Sequence, residues 1–147
     1  MKELSVESPA FENNKFIPTK YTCDGDDVNP SLVIKGIPEE AKTLVLIVDD
    51  PDAPTGTWNH WIVWNIPPTG KIEENTVPGI QGMNTARKVS YGGPCPPYGT
   101  HRYFFKVYAL DTKLSLNPDS KKKEVEKKME THILATGELV GLYRRPQ

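Results

Sequence analysis

Thr43-Leu44-Val45-Leu46-Ile47-Val48 runs without a break into Asp49-Asp50-Pro51-Asp52-Ala53-Pro54. This junction constrains the fold most. The apolar part is far short of the roughly 20 residues that cross a bilayer. Being continuously apolar rather than alternating, it reads as a strand buried on both faces. Carboxylates at the end of such a strand are costly to desolvate unless they meet a partner. The junction therefore predicts both a buried central strand and polar chemistry at its end.

The rest of the chain reads as further strands. Its 14 prolines and 11 glycines are spread along it rather than clustered, as turns between short strands would require. Leu32–Ile34, His60–Ile66, Arg102–Leu110 and Glu138–Tyr143 are rich in β-branched and aromatic residues. Leu4–Glu7 and part of 85–91 are weaker candidates. One helix is expected from Asn117 as N-cap and Pro118 as its first residue to a stop at Gly137, with Val125, Met129 and Ile133 as its apolar stripe. No helix alternates with the strands before residue 117, which disfavours a parallel α/β sheet. The expected fold class is mainly β: an antiparallel β-sandwich with a C-terminal helix and short helical decorations, in a single domain over 1–147.

Lys+Arg number 18 and Asp+Glu 19, a net charge of −1. Bulk charge gives no support for a nucleic-acid or membrane-surface partner, so any anion binding has to be local. The N-terminal residues are acidic and lack an apolar core, so the cytoplasm is the expected compartment. Cys23 and Cys95 are too few for a disulfide scaffold and are expected as free thiols, with a single bridge as the alternative.

Chemistry concentrates in three segments. In Asp49–Pro54, an extended backbone puts Asp50 and Asp52 on one side at period two; the plainer alternative is a polar Asx-type turn. Ala53-Pro54 is a candidate cis peptide. In Trp58-Asn59-His60-Trp61, His60 opens a strand between two tryptophans. In Tyr91–Tyr103, Pro94, Pro96 and Pro97 carry no N–H, whereas Gly92, Gly93 and Cys95 do, which suits an anion nest. Alternation then puts His101 and Tyr103 on one face and Arg102 on the other, where Asp52 is a plausible partner.

Asp50-Pro51-Asp52-Ala53-Pro54, His60-Trp61, Gly93-Pro94-Cys95-Pro96-Pro97 and Gly99-Thr100-His101-Arg102-Tyr103, in that order, resemble the signature of the phosphatidylethanolamine-binding protein family. Thr22-Cys23-Asp24-Gly25 with Asn29-Pro30-Ser31-Leu32 is similar to the opening of its bacterial and archaeal, Raf-kinase-inhibitor-like branch. The resemblance covers roughly residues 4 to 145. It implies a large β-sandwich with a small pocket that takes phosphate-type anions. It also implies ligand-binding roles for Asp50, Asp52, His60, Gly93, His101 and Tyr103, with Pro54 at a cis-proline position. Trp58 and Arg102 are expected to support the pocket. Asn59 stands where eukaryotic relatives carry a second histidine, and the longer insertion between Pro54 and Trp58 is missing.

The expected function is binding of a small anion, phosphate or a phosphorylated head group, with regulation of a partner enzyme as an added role. A homodimer is the expected assembly, with no stable membrane insertion, cofactor or metal. Three alternatives stand beside it. One is a protease- or kinase-inhibiting interaction module. Another is a weak hydrolase using Cys95 and His101. The third is a zinc or harder-cation site on the two carboxylates and two histidines, although no close His pair is present.

Overall fold

The computed structural model describes residues 2–146. Its strands are β1 (Lys2–Glu3), β2 (Ser5–Glu7), β3 (Lys15–Phe16), β4 (Leu32–Lys35), β5 (Thr43–Asp50), β6 (Trp58–Ile66), β7 (Lys71–Ile72), β8 (Ile80–Gln81), β9 (His101–Leu110) and β10 (Ile133–Tyr143). A 3-10 turn covers Thr19–Tyr21, and one helix, α1, covers Lys122–Met129.

The continuous apolar run behaves as expected. Every residue of β5 is buried. β5 lies between β9 and β6 in the larger sheet, whose order is β1-β10-β9-β5-β6-β8 with β3 also paired to β10. The pairings from β10 to β8 are antiparallel; β1 and β3 join β10 in parallel. A smaller sheet, β2-β4-β7, covers one face. Leu44, Leu46 and Val48 point into the layer shared with Val6, Leu32, Ile34 and Ile72. Val45 and Ile47 point the other way and pack with Val125 and Met129 of α1. Each such side chain, fully buried, contributes about 1.5–3 kcal/mol. Together they fix which face of β5 meets the second sheet.

The helix is shorter than the sequence predicts. The Pro118-Asp119 step turns instead of starting it: Asp119 takes a left-handed φ of 77°, and Ser120 closes the turn by donating N–H and Oγ–H to the Asn117 carbonyl at 3.1 and 2.7 Å. At the other end Ile133 already belongs to β10. Gly137 is a strand residue, not a helix stop. A Cβ there would collide with the Leu4 carbonyl, so the glycine admits the chain that leads out of β1. The 85–91 candidate forms turns, not a strand. His132, read as a helical residue, lies just past α1 and meets Asp111 at 2.7 Å.

Candidate functional site

Three long strands end together. β5 delivers Asp50, β9 begins at His101, and β6 begins two residues before His60. Between these strand ends and the loop over residues 92–97 lies a cavity of about 400 Å³, within the usual range for ligand pockets. Asp50, His60, His101 and Tyr103 line it, with Pro54, Trp58 and Gly93.

His60 reaches the cavity through a β-bulge. Trp61 and Val63 face the inter-sheet core, and Ile62 and Trp64 face α1. Strict alternation would turn His60 towards α1. Instead Val48 pairs with Trp61 while Asp49 pairs with Asn59, so one step on β5 spans two on β6 and His60 is the extra residue. The bulge re-aims the side chain. His60 now stands edge-on to Tyr103, ring centroids 5.3 Å apart, and Asn59 turns to the opposite face, 3.0 Å from Asp49.

Each imidazole is held through Nδ1. His60 Nδ1 donates to the Gly92 carbonyl at 2.8 Å, while the Gly92 N–H and the Asn84 amide return to the His60 carbonyl. His101 Nδ1 faces Asp50 Oδ2 at 2.7 Å. Neither Nε2 has a hydrogen-bond partner among the described residues, and neither is sealed off, although the residues are only 8% and 5% exposed. The Tyr103 hydroxyl is sealed and unpartnered. The Cys95 backbone lies close enough to influence that oxygen but makes no well-formed hydrogen bond to it. Burial, then the Asp50 and Asp52 charges, push the Tyr103 phenol far above its usual range. It is a permanent O–H donor. Burial also pulls His60 below the usual imidazole range; the Gly92 carbonyl and the Asp50 charge oppose that shift without cancelling it.

Several expectations need correcting. Asp50 and Asp52 do not share a side, because the strand stops at Asp50. Asp50 Oδ1 accepts the Asp52 N–H at 2.7 Å, so the Asx turn and the pocket carboxylate are the same residue. Asp52 sits outside the cavity lining and takes a bidentate pair from Arg102 at 2.9 and 2.8 Å, together with the Arg102 N–H at 2.9 Å. The side chain of Arg102 holds the Asp52 carboxyl below its usual range. That pairing is the one the sequence suggests. The Gly93 amide is not free: it donates to Asp27 Oδ1 at 2.7 Å. A Cβ on Gly93 would strike the Tyr21 carbonyl and the Asp27 carboxylate, which is why glycine stands there. Ala53-Pro54 is trans, since the described residues contain no cis peptide. Cys95 is bridged to Cys23, with Cα atoms 5.5 Å apart, so it offers no thiol nucleophile.

The sequence reading missed Asp27 and Asn84. Asp27 follows the quoted Thr22-Cys23-Asp24-Gly25 stretch and adopts a left-handed φ of 58°, but nothing in the sequence ties it to Gly93. No cluster of three or more His, Cys, Asp or Glu among the described residues is arranged to hold a metal ion. No helix among them is long and apolar enough to cross a membrane.

A two-layer β protein with two open imidazoles and a tyrosine hydroxyl at the end of its central strands is a defined class, and comparison identifies it. The family model described as phosphatidylethanolamine-binding protein matches residues 7–144. A UPF0098 protein of Pyrococcus abyssi is 54% identical over 98% of this chain and 87% of its own length. One of Methanothermobacter thermautotrophicus is 47% identical, covering 97% and 99%. A Chlamydia trachomatis crystal structure, titled as a phosphatidylethanolamine-binding protein homologue, superposes with TM-score 0.95 at 41% identity, covering 99% of this chain and 100% of that one. Escherichia coli YbcL, described as a member of the mammalian family, gives 0.89 at 32% identity over 98% and 99%. The chain belongs to the phosphatidylethanolamine-binding protein family.

Proposed function

We propose that the protein binds a small phosphate-type anion in the cavity between Asp50, His60, His101 and Tyr103. One observation carries this reading: both imidazoles spend Nδ1 on protein acceptors and keep Nε2 open to the same cavity. Protonated, the two Nε2–H groups are two charged donors around one hole, with the Tyr103 ring as part of its wall. Charge-assisted hydrogen bonds contribute about 1.5–3 kcal/mol each, so weak to moderate affinity is expected for a free anion. Trp58, Pro54 and Pro96 supply apolar wall for an organic substituent.

The pH dependence follows from the rings. An anion favours the charged imidazole, so affinity falls as pH rises. For His60 the fall begins below the ordinary value of 6.5, because burial lowers that group. Titration with inorganic phosphate and phosphorylethanolamine, followed by histidine NMR signals at pH 6 and pH 8, tests it. Shifts of His60 and His101 that are larger at pH 6 are expected; unmoved signals would end the reading.

Regulation of a partner is a second role, supported by one feature. Tyr98 stands 72% exposed, next in sequence to Pro97 of the cavity wall. The compartment we assign is the cytoplasm.

A further inference from the structure

We infer that the Cys23–Cys95 disulfide is a redox control on the cavity: reducing it frees one wall and weakens the hold on a ligand that leans on that wall. This deepens the anion-binding reading and rests on it.

The cavity has a gripping side and a covering side. The gripping side is built on strand ends and is tied firmly. His60 and Gly92 exchange hydrogen bonds in both directions, and Asp50 meets His101 at 2.7 Å. The covering side is Cys95-Pro96-Pro97, with Cys23 and Asp27 also in the lining. Its anchors stop early along the chain. The Gly93 N–H donates to Asp27 Oδ1 at 2.7 Å, and the Pro94 carbonyl accepts the Cys23 N–H at 3.2 Å. From Cys95 to Thr100 the described residues make no backbone–backbone hydrogen bond. Pro96 and Pro97 have no N–H to offer. What pins this stretch before β9 begins is the packing of the buried Pro96 and the bridge to Cys23.

The bridge is also within reach of a reductant. Cys95 is an exposed residue, Cys23 a half-buried one, and both line the cavity. Exposed disulfides are the labile and regulatory ones. A small dithiol completes the step. One of its thiolates attacks a sulfur of the bridge and forms a mixed disulfide. Its second thiolate then displaces the protein sulfur. The dithiol leaves as a disulfide, two electrons poorer, and Cys23 and Cys95 take up the two protons it gave away. With the bridge open, water enters between the covering stretch and the imidazoles, and apolar contact with Pro96 is lost. The coupling is reciprocal: by whatever factor the bridge tightens binding, a bound ligand opposes reduction of the bridge.

Phenyl phosphate and inorganic phosphate separate the two sides. The imidazoles hold both, but only the phenyl ring reaches the covering wall. Calorimetry at pH 6 compares the intact oxidised protein with the same protein reduced by dithiothreitol. Phenyl phosphate should bind about tenfold more weakly after reduction, the factor for roughly 55 Å² of apolar surface returned to water, and inorganic phosphate should change by less than about threefold. Amide NMR of the reduced protein should show shifts in 22–27 and 92–100 and leave the signals of β5 in place. In a dithiothreitol redox titration, saturating phenyl phosphate should lower the reduction potential of the bridge by about 30 mV, the equivalent of tenfold for a two-electron couple. The double variant Cys23→Ser, Cys95→Ser should bind like the reduced protein with no reductant present. Equal phenyl phosphate affinity in the two redox states overturns the control and leaves anion binding intact. An equal loss for both probes overturns the assignment to the covering wall. Collapse of the β5 signals on reduction overturns it too, since the bridge then holds the whole fold. Failure of both probes to bind the oxidised protein overturns the anion-binding reading as well. If the double variant does not fold, the two redox states of the wild type still decide.

Discussion

Asp49 and Asp50 are neighbours on one strand, 1% and 3% exposed, yet their surroundings differ completely. Asp49 turns to the helix side. There Lys122 Nζ lies at 2.6 Å, Lys106 Nζ at 3.4 Å and the Asn59 amide at 3.0 Å. Its charge is met by permanent cations, and little is left for a ligand to change. Asp50 turns to the inter-sheet side and meets an imidazole and one backbone N–H. Its partner is an imidazole whose far nitrogen stays open. Burial alone does not mark a functional carboxylate. What marks it is a partner whose charge can change and whose other side faces a cavity.

Removing Asp49 should have the largest effect on stability. Asp49→Ala strands Lys122 beside a buried cavity and removes one of the three acceptors of the Asn59 amide. A loss of about 3 kcal/mol is expected in denaturant unfolding, at the lower end for a buried pair because both lysines reach solvent. Phosphate affinity of the folded variant should be unchanged. A large affinity loss would show that the two sides are not separate.

Asp50→Asn reverses the pattern. The amide retains an acceptor for the Asp52 N–H or for His101, so stability falls by about 1–2 kcal/mol. The carboxylate that holds His101 Nδ1 is gone, and phosphate affinity at pH 7 should drop about tenfold in the same NMR titration. An unchanged affinity would make Asp50 as purely structural as Asp49.

Arg102→Ala sharpens the comparison at its weak end, because the Asp52 pair lies largely in solvent. The midpoint of thermal unfolding at pH 7 should move by about 2 °C or less. The pH sign is definite. Arg102 lowers the folded-state value of Asp52 below the ordinary 3.8, so the pair's contribution is present above that value and is lost as pH falls through the lowered one. The gap between wild type and variant should therefore close in acid; a gap that widens there contradicts the pairing.

How much of this was readable in advance follows from which contacts are local. In β9 the period of two is unbroken, and it places His101 and Tyr103 together with Arg102 opposite. β6 defeats the same rule. Its bulge arises from register against β5, and nothing in Trp58-Asn59-His60-Trp61 announces the extra residue. The Asp50/Asp52 pair was misread because an extended geometry was carried past a strand end where the side chain of Asp50 captures the next turn. The Gly93 amide was misread because its partner, Asp27, comes from a loop far away in sequence. The disulfide depends on two Cα atoms coming within reach, a distance that composition does not encode. The central strand and its two covers were legible because a both-sided apolar run has few alternatives.

The link between Cys23 and Cys95 makes a covalent ring of everything between them, with β4 to β8 inside it. One peptide cleavage at the exposed Thr55-Gly56-Thr57 turn would leave two pieces of chain but a single molecule. On a non-reducing gel the nicked protein would keep the mass of the intact one, and it would fall apart only when a reductant is added. Damage at the rim of the cavity therefore need not release any of its walls.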